Sequence, residues 1–402
     1  MTRHRILAVG QAVQPTGYAR VMISILERLC RSPEFELLQF AFNYRGVEIT
    51  DPWRIEPNRL LGDPYGREQM PGLLREFRPD LVYMCHDPWL WNIHAGAIAE
   101  APGSPKSVFY CPVDWAVSRP EQFAGLESVD QLVAYTEFGR RTLDGLLSAY
   151  NPARSGGLRR PIAVIPLGVD LNRFYPLSEP RPGERPASRS AARALLFPEL
   201  PGVEDAFIVL NANRPSRRKR VDLTLQGFAE FVRNKADAWL LLHIGRRDWY
   251  PNVMDDARRL GIDGRLLLSR PSEGGADIAD DHLNLVYNAC DVGLNTAAGE
   301  GWGLVAFEHA ATGAAQVVPD HGACSELWRE AGILIPTSPG SGPEPAPLST
   351  SIVAGLLDQL YEDREFLASK SAQAFEWARS GRFSWDEIAD VWRKQFLNLL
   401  GE

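Results

Sequence analysis

The fold of this chain is decided by the stretch GEGWGLVAFE, residues 299–308. It places Glu300 and Glu308 eight positions apart across a glycine-flanked turn. The apolar run before it, residues 290–296, predicts a buried strand, and residues 304–312 predict a short helix that ends at Gly313. Free N–H groups at a helix N-terminus suit an anion, and the two carboxylates accept hydrogen bonds from hydroxyl groups. The stretch therefore predicts a site for a ligand with phosphates and several hydroxyls, such as a sugar nucleotide.

Length and composition predict a cytoplasmic protein of two domains. The 402 residues exceed what one hydrophobic core usually supports. A net charge of −8 argues against a nucleic-acid partner. The five cysteines show no C-x-x-C spacing, which favours reduced thiols over a metal or disulfide site. The N-terminal apolar run is short and no apolar run reaches about 18 residues, so we expect peripheral membrane association at most.

Short apolar runs alternate with amphipathic helical patterns along the whole chain. This alternation predicts the α/β class, with two Rossmann-like, doubly wound parallel sheets. Proline, glycine, serine and charged residues interrupt it over residues 176–190, which we interpret as a linker. The predicted domains are residues 1–175 and 191–383. Because ligands of such sheets bind beyond the carboxyl ends of the strands, we expect the two domains to face a shared cleft.

A cationic loop opens the second domain. Residues 211–222, NANRPSRRKRVD, follow a predicted strand and contain five cations within seven positions. Such a loop suits a diphosphate, because arginine offers a fork of N–H donors and lysine a compact charge. We favour that role for Arg214 and Lys219, and a solvated surface loop for Arg217, Arg218 and Arg220.

Taken together, these motifs resemble those of a known family. In chain order they are PLGVD at 166–170, the cationic loop, LVYNACDV at 285–292 and EGWGLVAFEHA at 300–310. With them the chain resembles the retaining glycosyltransferases of family four, which have the GT-B fold. The resemblance runs from Arg5 to Leu400 and is closer in the second half. It implies that the C-terminal helix, residues 384–402, crosses back to complete the first domain.

The resemblance also implies residue roles on the donor side. Arg214 and Lys219 would hold the donor diphosphate and offset charge on the leaving group, as positioned cations do. Glu300 would bind hydroxyls of the donor sugar and Glu308 the ribose. The remaining donor contacts would come from the glycine turn, the first helical N–H groups and the strand end that lines the base pocket: Gly301, Trp302, Gly303, Leu304, Val305 and Arg270.

No cofactor and no metal are expected besides the donor itself. The chain has no Asp-x-Asp, the motif with which another glycosyltransferase fold seats a divalent metal. The Arg/Lys pair would serve instead. The donor would be a nucleoside diphosphate sugar, with UDP- or GDP-sugars favoured. The acceptor would be a hydroxyl of a small molecule, a glycan, a lipid-linked sugar or a protein.

The first domain is expected to bind the acceptor. Its opening loop, residues 10–18, allows close backbone approach of the donor at Gly17 or forms a plain β-to-α turn. Relatives often have a histidine after a later strand, where this chain has Pro-Val-Asp. We therefore consider His86 and Asp114 for the polar partner of the transferred sugar, against a core or capping histidine and an N-cap aspartate.

Three tryptophans lie in the same predicted loops. An acceptor could stack on Trp89, Trp91 and Trp115, although tryptophans in such loops more often anchor them to the core. A sugar-nucleotide epimerase of the same fold is the alternative function. A two-lobed solute-binding protein is less compatible with a cationic loop beside paired glutamates.

Overall fold

The computed structural model describes most of the chain, in residues 3–12, 16–42, 44, 46, 52–114, 123, 125–150, 160–179, 187–214, 216–244, 253–269, 279–338 and 348–402. The chain divides into two compact units. Unit 1 is Met1–Gly168 with Arg382–Glu402, and unit 2 is Val169–Gly381. The sequence placed these boundaries at residues 175 and 384. Residues 180–186 of the predicted linker lie outside the described residues.

Unit 1 contains a parallel sheet of seven strands in the order β3-β2-β1-β4-β5-β6-β7. The strands are β1 His4–Gln11, β2 Phe35–Phe42, β3 Arg54–Pro57, β4 Leu81–Cys85, β5 Lys106–Cys111, β6 Gln131–Ala134 and β7 Ala163–Val164. The helices are α1 Gly17–Leu29, α2 Met70–Phe77, α3 Trp91–Ala99, α4 Glu137–Tyr150 and, at the C-terminus, α13 Trp385–Leu400. In chain order, β2 and β3 are added on one side of β1, and β4 to β7 are added on its other side. The direction of strand addition therefore reverses between β1 and β4.

The C-terminal helix α13 packs its aromatic side chains into unit 1. The centroid of the Trp392 ring lies 5.0 Å from that of the Tyr83 ring in β4 and 4.8 Å from that of the Tyr110 ring in β5. Phe396 packs 6.1 Å from Phe35 at the start of β2. Helical spacing places these large side chains on one face, and burying that face supplies most of the stability of such a helix.

Unit 2 contains a second parallel sheet of six strands in the order β10-β9-β8-β11-β12-β13. The strands are β8 Phe207–Asn211, β9 Ala238–Leu242, β10 Leu266–Leu268, β11 Val292–Leu294, β12 Ala315–Pro319 and β13 Ile333–Ile335. The helices are α5 Arg189–Leu196, α6 Val221–Phe231, α7 Val253–Leu260, α8 Asp280–Ala289, α9 Leu304–Ala310, α10 Gly322–Trp328, α11 Thr350–Glu362 and α12 Arg364–Ala378. The order reverses between β8 and β11, which are hydrogen-bonded neighbours. The predicted class of two doubly wound parallel sheets is confirmed.

The beginning of the predicted linker is held against helix α8. The backbone N–H of Tyr175 donates to Asn284 Oδ1 at 3.1 Å, and that of Leu177 donates to Asn288 Oδ1 at 2.9 Å. Asn288 Nδ2 in turn donates to the carbonyl of Tyr175 at 3.0 Å. Composition alone indicated a linker here. It gave no sign of these contacts, because the anchoring amides lie more than a hundred residues away in the sequence.

Two glycines in packed helices provide a test of this architecture. A Cβ on Gly227 of α6 would lie 2.6 Å from Val353 Cγ1 of α11, whereas a Cβ on Gly355 of α11 would meet nothing within 4 Å. We expect Gly227→Ala to lower the free energy of unfolding by about 1–3 kcal/mol through overpacking. Gly355→Ala should raise it by about 0.5–1 kcal/mol, since alanine is the better helix former. Denaturant titrations of both variants measure this, and equal effects would contradict the close packing of α6 on α11.

Candidate active site

Two loops of unit 2 meet at the point where its strand order reverses. Residues 211–220 follow β8 and residues 295–303 follow β11, and both leave the carboxyl ends of adjacent strands. In open α/β sheets this topological switch point is where ligands bind. The cationic loop and the glutamate turn singled out from the sequence are therefore brought together by strand order.

Glu300 is the centre of this arrangement. Its side chain is 5% exposed and forms an ion pair with Lys219 Nζ. Arg218 Nη1 lies 3.4 Å from Glu300 Oε2, and Asn295 Nδ2 donates to Oε1 at 3.2 Å. Burial by itself raises the pKa of a carboxyl group, but here the charges of Lys219 and Arg218 and these hydrogen bonds outweigh it and lower the pKa of Glu300. The carboxylate is therefore ionised and held in one orientation.

Arg218 anchors the glutamate loop, and the interpretation of it as a solvated surface residue was wrong. Its guanidinium donates to the carbonyl of Gly299 as well as facing Glu300. The backbone N–H of Ala298 donates to the carbonyl of Arg218 at 2.8 Å. The sequence shows five adjacent cations without showing which of them turns inward, since that depends on the path of a distant loop.

A buried amide network supports both loops, and sequence reasoning missed it. Asn295 Oδ1 accepts from the N–H of Ala297 at 2.9 Å and from Asn213 Nδ2 at 3.3 Å. Asn213 directly precedes Arg214, so this network ties the start of the cationic loop to the residues that hold Glu300. Polar residues at the ends of two predicted apolar strands were the only available signal.

A second buried chain of hydrogen bonds lies beside it. Asn211 Nδ2 donates to Thr224 Oγ1 at 2.7 Å, and Thr224 Oγ1 lies 2.7 Å from Thr296 Oγ1. Thr296 Oγ1 also donates to the carbonyl of Arg220 at 2.9 Å. Buried polar groups that are fully hydrogen-bonded make such a loop rigid.

The glycine turn leads directly into helix α9. Gly303 has φ +93°, a left-handed conformation that side chains other than glycine rarely adopt. Trp302 is 3% exposed and its ring stacks on Phe307 at 5.1 Å, so it offers a ligand its backbone rather than its ring. Leu304 and Val305 are half-buried at the first helical positions, where N–H groups have no partner within a helix. The helix ends at Ala310, two residues earlier than predicted.

Glu308 lies inside α9 and is 4% exposed. Tyr287 Oη of α8 donates to its Oε2 at 2.9 Å. This contact orients the carboxylate group. Glu308 is therefore a second oriented acceptor in unit 2.

The other predicted donor residues have different surroundings. Arg214 is exposed, and its guanidinium has no hydrogen-bond partner among the described residues. Arg270 lies outside the described residues. A further side chain, which was not among the predicted donor residues, also reaches this loop: the Nε2 of His321, before α10, lies 3.1 Å from the carbonyl of Ala297.

Unit 1 places Gly17 and His86 at its own switch point, between β1 and β4, and Asp114 one strand further along the sheet. Gly17 opens α1 after β1, is exposed, and follows Thr16, whose Oγ1 accepts from Ala19 N at 3.1 Å. His86 directly follows β4, is 4% exposed and stacks on Tyr18 with ring centroids 4.5 Å apart. Asp114 is half-buried three residues after β5, one strand further from the switch point.

The tryptophans of unit 1 divide between two environments. Trp89 is half-buried and packs on Tyr65 at 4.9 Å. Trp91 is 2% exposed, and its Nε1 donates to the carbonyl of Gly125 and to Ser128 Oγ, both at 2.9 Å. Trp91 is therefore a core residue that anchors a loop, the second of the two roles considered for it. Trp115 lies outside the described residues.

Within the described ranges, no group of three or more histidine, cysteine or acidic side chains is arranged to hold a metal ion. None of the helices in these ranges is long and apolar enough to cross a membrane. None of the five cysteines, all of which lie within the described ranges, forms a disulfide bond. Burial raises the pKa of the Cys85 thiol to about 12, so it stays protonated.

The Lys219–Glu300 pair gives a first prediction for this site. Lys219→Met leaves a buried carboxylate without its main counter-charge, and we expect the free energy of unfolding at pH 7 to fall by about 3 kcal/mol. The double variant Lys219→Met/Glu300→Gln should recover most of that loss, because no unpaired charge remains. Arg217→Met, an exposed neighbour, is the control and should change stability by less than about 0.5 kcal/mol. A double variant as unstable as the single one would contradict the pairing.

The pH dependence of Glu300→Gln gives a second prediction. A depressed carboxyl pKa contributes stability above the ordinary value of 4.5, and this is lost as the pH falls through the folded value. The stability difference between wild type and Glu300→Gln should therefore be constant near neutral pH and shrink in acid. Denaturant titrations over a pH series measure it, and a difference that grows toward acid pH would contradict the ion pair.

Comparison with known proteins shows which family the part of the chain around this site is similar to. Residues 206–343 match the model of the glycosyl transferases group 1. The chain is 28% identical over 202 residues to mannosylfructose-phosphate synthase of Agrobacterium fabrum, covering 48% of this chain and 38% of that protein. It is also 28% identical over 283 residues to D-inositol 3-phosphate glycosyltransferase of Corynebacterium kroppenstedtii, covering 67% of this chain and 55% of that protein. The matches thus span about two-fifths to just over half the length of these relatives.

Solved structures show the same fold over nearly the full chain. HepE of Anabaena, in complex with UDP and glucose, has a TM-score of 0.72 and 18% identity, over 98% of this chain and 100% of that one. Sucrose-phosphate synthase of Thermosynechococcus elongatus has a TM-score of 0.72 and 16% identity over the same shares. The predicted GT-B fold is confirmed. Residues 206–343 are thus similar to the group 1 glycosyltransferases, and the chain as a whole shares the fold of these solved glycosyltransferase structures.

Proposed function

We propose that this protein is a retaining, metal-independent glycosyltransferase that moves a sugar from a nucleoside diphosphate sugar to a hydroxyl acceptor. The observation that carries the proposal is the buried, ionised carboxylate of Glu300, oriented by Lys219, Arg218 and Asn295 at the switch point of unit 2. An ionised acceptor of fixed orientation beside two cations suits a ligand that combines hydroxyls with phosphates.

The donor diphosphate is assigned to Arg214 and Lys219. Arg214 is exposed and able to turn its five N–H donors toward phosphate oxygens. Lys219, which donates to Glu300, adds a compact positive charge in the same loop. The N–H groups of Leu304 and Val305 add donors at the start of α9. Gly301 and Gly303 allow the backbone to approach the ligand closely.

The two glutamates have separate tasks in this proposal. Glu300 accepts hydrogen bonds from hydroxyls of the donor sugar, beside the cations that hold its phosphates. Glu308, oriented by Tyr287, accepts from the ribose. Both side chains are buried and already ordered, so little conformational entropy is lost when a ligand binds.

The reaction breaks the bond between the anomeric carbon and the diphosphate oxygen and forms a bond from the acceptor oxygen to the same face of that carbon. The acceptor proton passes to the leaving diphosphate, so no protein nucleophile is needed. Arg214 and Lys219 stabilise the charge that develops on the leaving group, the role that a divalent metal has in other enzymes.

Unit 1 is assigned to the acceptor. Of the two candidates for the polar partner of the transferred sugar, His86 lies at the switch point and Asp114 follows the next strand, so the geometry favours His86. Trp89 is half-buried beside His86 and is the better of the two described tryptophans for stacking on a sugar ring. UDP- and GDP-sugars are the donors to test first, since HepE is described with UDP and glucose.

Two arginines of the cationic loop allow a matched test. Arg214→Ala should lower kcat about 10²-fold or more, because it removes a charge that stabilises the leaving group. Arg217→Ala removes an exposed arginine three positions away and should leave turnover unchanged. Transfer is measured as release of the nucleoside diphosphate from a panel of UDP-, GDP- and ADP-sugars. Equal activity of the two variants would contradict the assignment of Arg214.

The roles of Glu308 and of metal ions are tested in the same assay. Glu308→Gln should raise the KM for the donor and reduce the rise in melting temperature that the free nucleotide produces. Activity should persist in the presence of a chelator. Activity that vanishes with the chelator and returns with Mg²⁺ or Mn²⁺ would overturn metal independence. Conversion of the donor sugar without any acceptor would point to an epimerase instead.

A further inference from the structure

The switch point of unit 1 contains a histidine whose hydrogen-bonding groups are unused. His86 follows β4, next to β1, and its side chain is 96% buried. Among the described residues neither ring nitrogen has a hydrogen-bond partner. Because buried polar groups are nearly always hydrogen-bonded, such a group needs an explanation, and a missing ligand is one.

Three other histidines in the described ranges are buried, and His243 is hydrogen-bonded to Ser269 Oγ. The ring nitrogens of His94 and His309 also lack a partner within these ranges, but these residues lie within helices α3 and α9, whereas His86 lies in the turn at the carboxyl end of β4.

Burial lowers the pKa of His94 to about 4 and the pKa of His309 to about 3. Nearby backbone groups act in the opposite direction. They belong to Tyr65 in the case of His94, and to Cys290 and Tyr287 in the case of His309. Burial likewise lowers the pKa of His86, and the one opposing group is the carboxylate of Asp87. His86 is therefore neutral near pH 7, with one nitrogen that donates and one that accepts.

Asp87 is held just beyond hydrogen-bonding distance of that imidazole. Tyr18 Oη donates to Asp87 Oδ1 at 2.5 Å, whereas Asp87 Oδ2 lies 3.8 Å from His86 Nδ1. The Tyr18 ring also stacks on the imidazole with an angle of 16° between the planes. One tyrosine therefore restrains both the carboxylate and the plane of the histidine ring.

Aromatic edges restrain the imidazole on its other sides. The rings of Phe42, Tyr65 and Trp89 pack edge-on against it at 5.7, 6.4 and 5.6 Å. The titratable side chains that face it are Tyr18 from α1, Tyr65 from the segment before α2, and Asp87 from its own turn. Tyr18, Tyr65 and Trp89 are half-buried, so displacing one of these side chains would open a path to the imidazole.

We propose that Tyr18 and Asp87 are positioning residues that hold His86 for hydrogen bonding to a hydroxyl group of a bound carbohydrate. A neutral imidazole matches a hydroxyl, since each has one donor and at least one acceptor. The Trp89 ring beside it suits the apolar face of a sugar ring. This inference rests on the proposed function and adds to it two residues that sequence motifs do not single out.

The first experiment observes His86 in the ligand-free protein and does not depend on activity. Tyr18→Phe keeps the stacked ring but removes the O–H, so Asp87 becomes able to pair with His86 Nδ1. An NMR titration of the His86 ring should show its pKa rising by about one unit, the size expected for a nearby carboxylate. Tyr65→Phe, which keeps an edge contact with the same ring, is the control. An unchanged titration in Tyr18→Phe would overturn the positioning role.

The second experiment measures transfer with the donor identified in the nucleotide release assay. Tyr18→Phe and His86→Asn should each lower kcat about tenfold or more while the donor KM stays near the wild-type value, since the proposed contacts to the nucleotide and diphosphate lie in unit 2 and are unchanged. Tyr65→Phe should retain wild-type kcat. Equal turnover of Tyr18→Phe and Tyr65→Phe would overturn the proposal. If wild type itself turns over no donor, the proposed function fails, whereas the titration still decides whether Tyr18 and Asp87 position His86.

Discussion

The site in unit 2 depends on one buried charge, the carboxylate of Glu300. A carboxylate in a protein interior is strongly disfavoured unless cations and hydrogen-bond donors surround it. Lys219, Arg218 and Asn295 meet that requirement, and each comes from a different point on the two loops. The need to satisfy Glu300 therefore fixes how the cationic loop after β8 lies against the turn after β11.

Both units place their chemistry at the same topological position, although the chemistry differs. In unit 2 the switch point lies between β8 and β11 and contains charged residues joined by amide hydrogen bonds. In unit 1 it lies between β1 and β4 and contains a neutral histidine, a tyrosine-bound aspartate and aromatic rings. Charges suit phosphates, whereas an aromatic and hydroxyl-binding surface suits a sugar ring. In a doubly wound sheet the loops form a crevice at the switch point, and the side chains that line it determine which ligand fits.

Sequence reasoning succeeded where a short segment contains the whole signal and failed where partners are distant. Alternating apolar runs predicted both sheets, and the strand, glycine turn and helix around residues 299–308 follow from local rules. Arg218 was misjudged, because its inward orientation depends on the carbonyl of Gly299 in another loop. Asn213, Asn295 and Tyr18 were passed over for the same reason, since their partners lie many positions away. Trp91 was left undecided until Gly125 and Ser128 were seen to accept from its indole.

The sequence by itself determined the fold class, the division into two α/β halves and the pairing of a cationic loop with two glutamates. These follow from periodicity, composition and motif spacing, which are properties of neighbouring residues. Only the tertiary structure decided which cations are bound to Glu300, which amides hold the two loops, and that His86 lies between a tyrosine and an aspartate with its ring nitrogens unused. These are consequences of strand order, which brings together loops far apart in the chain and decides which polar groups lose contact with water.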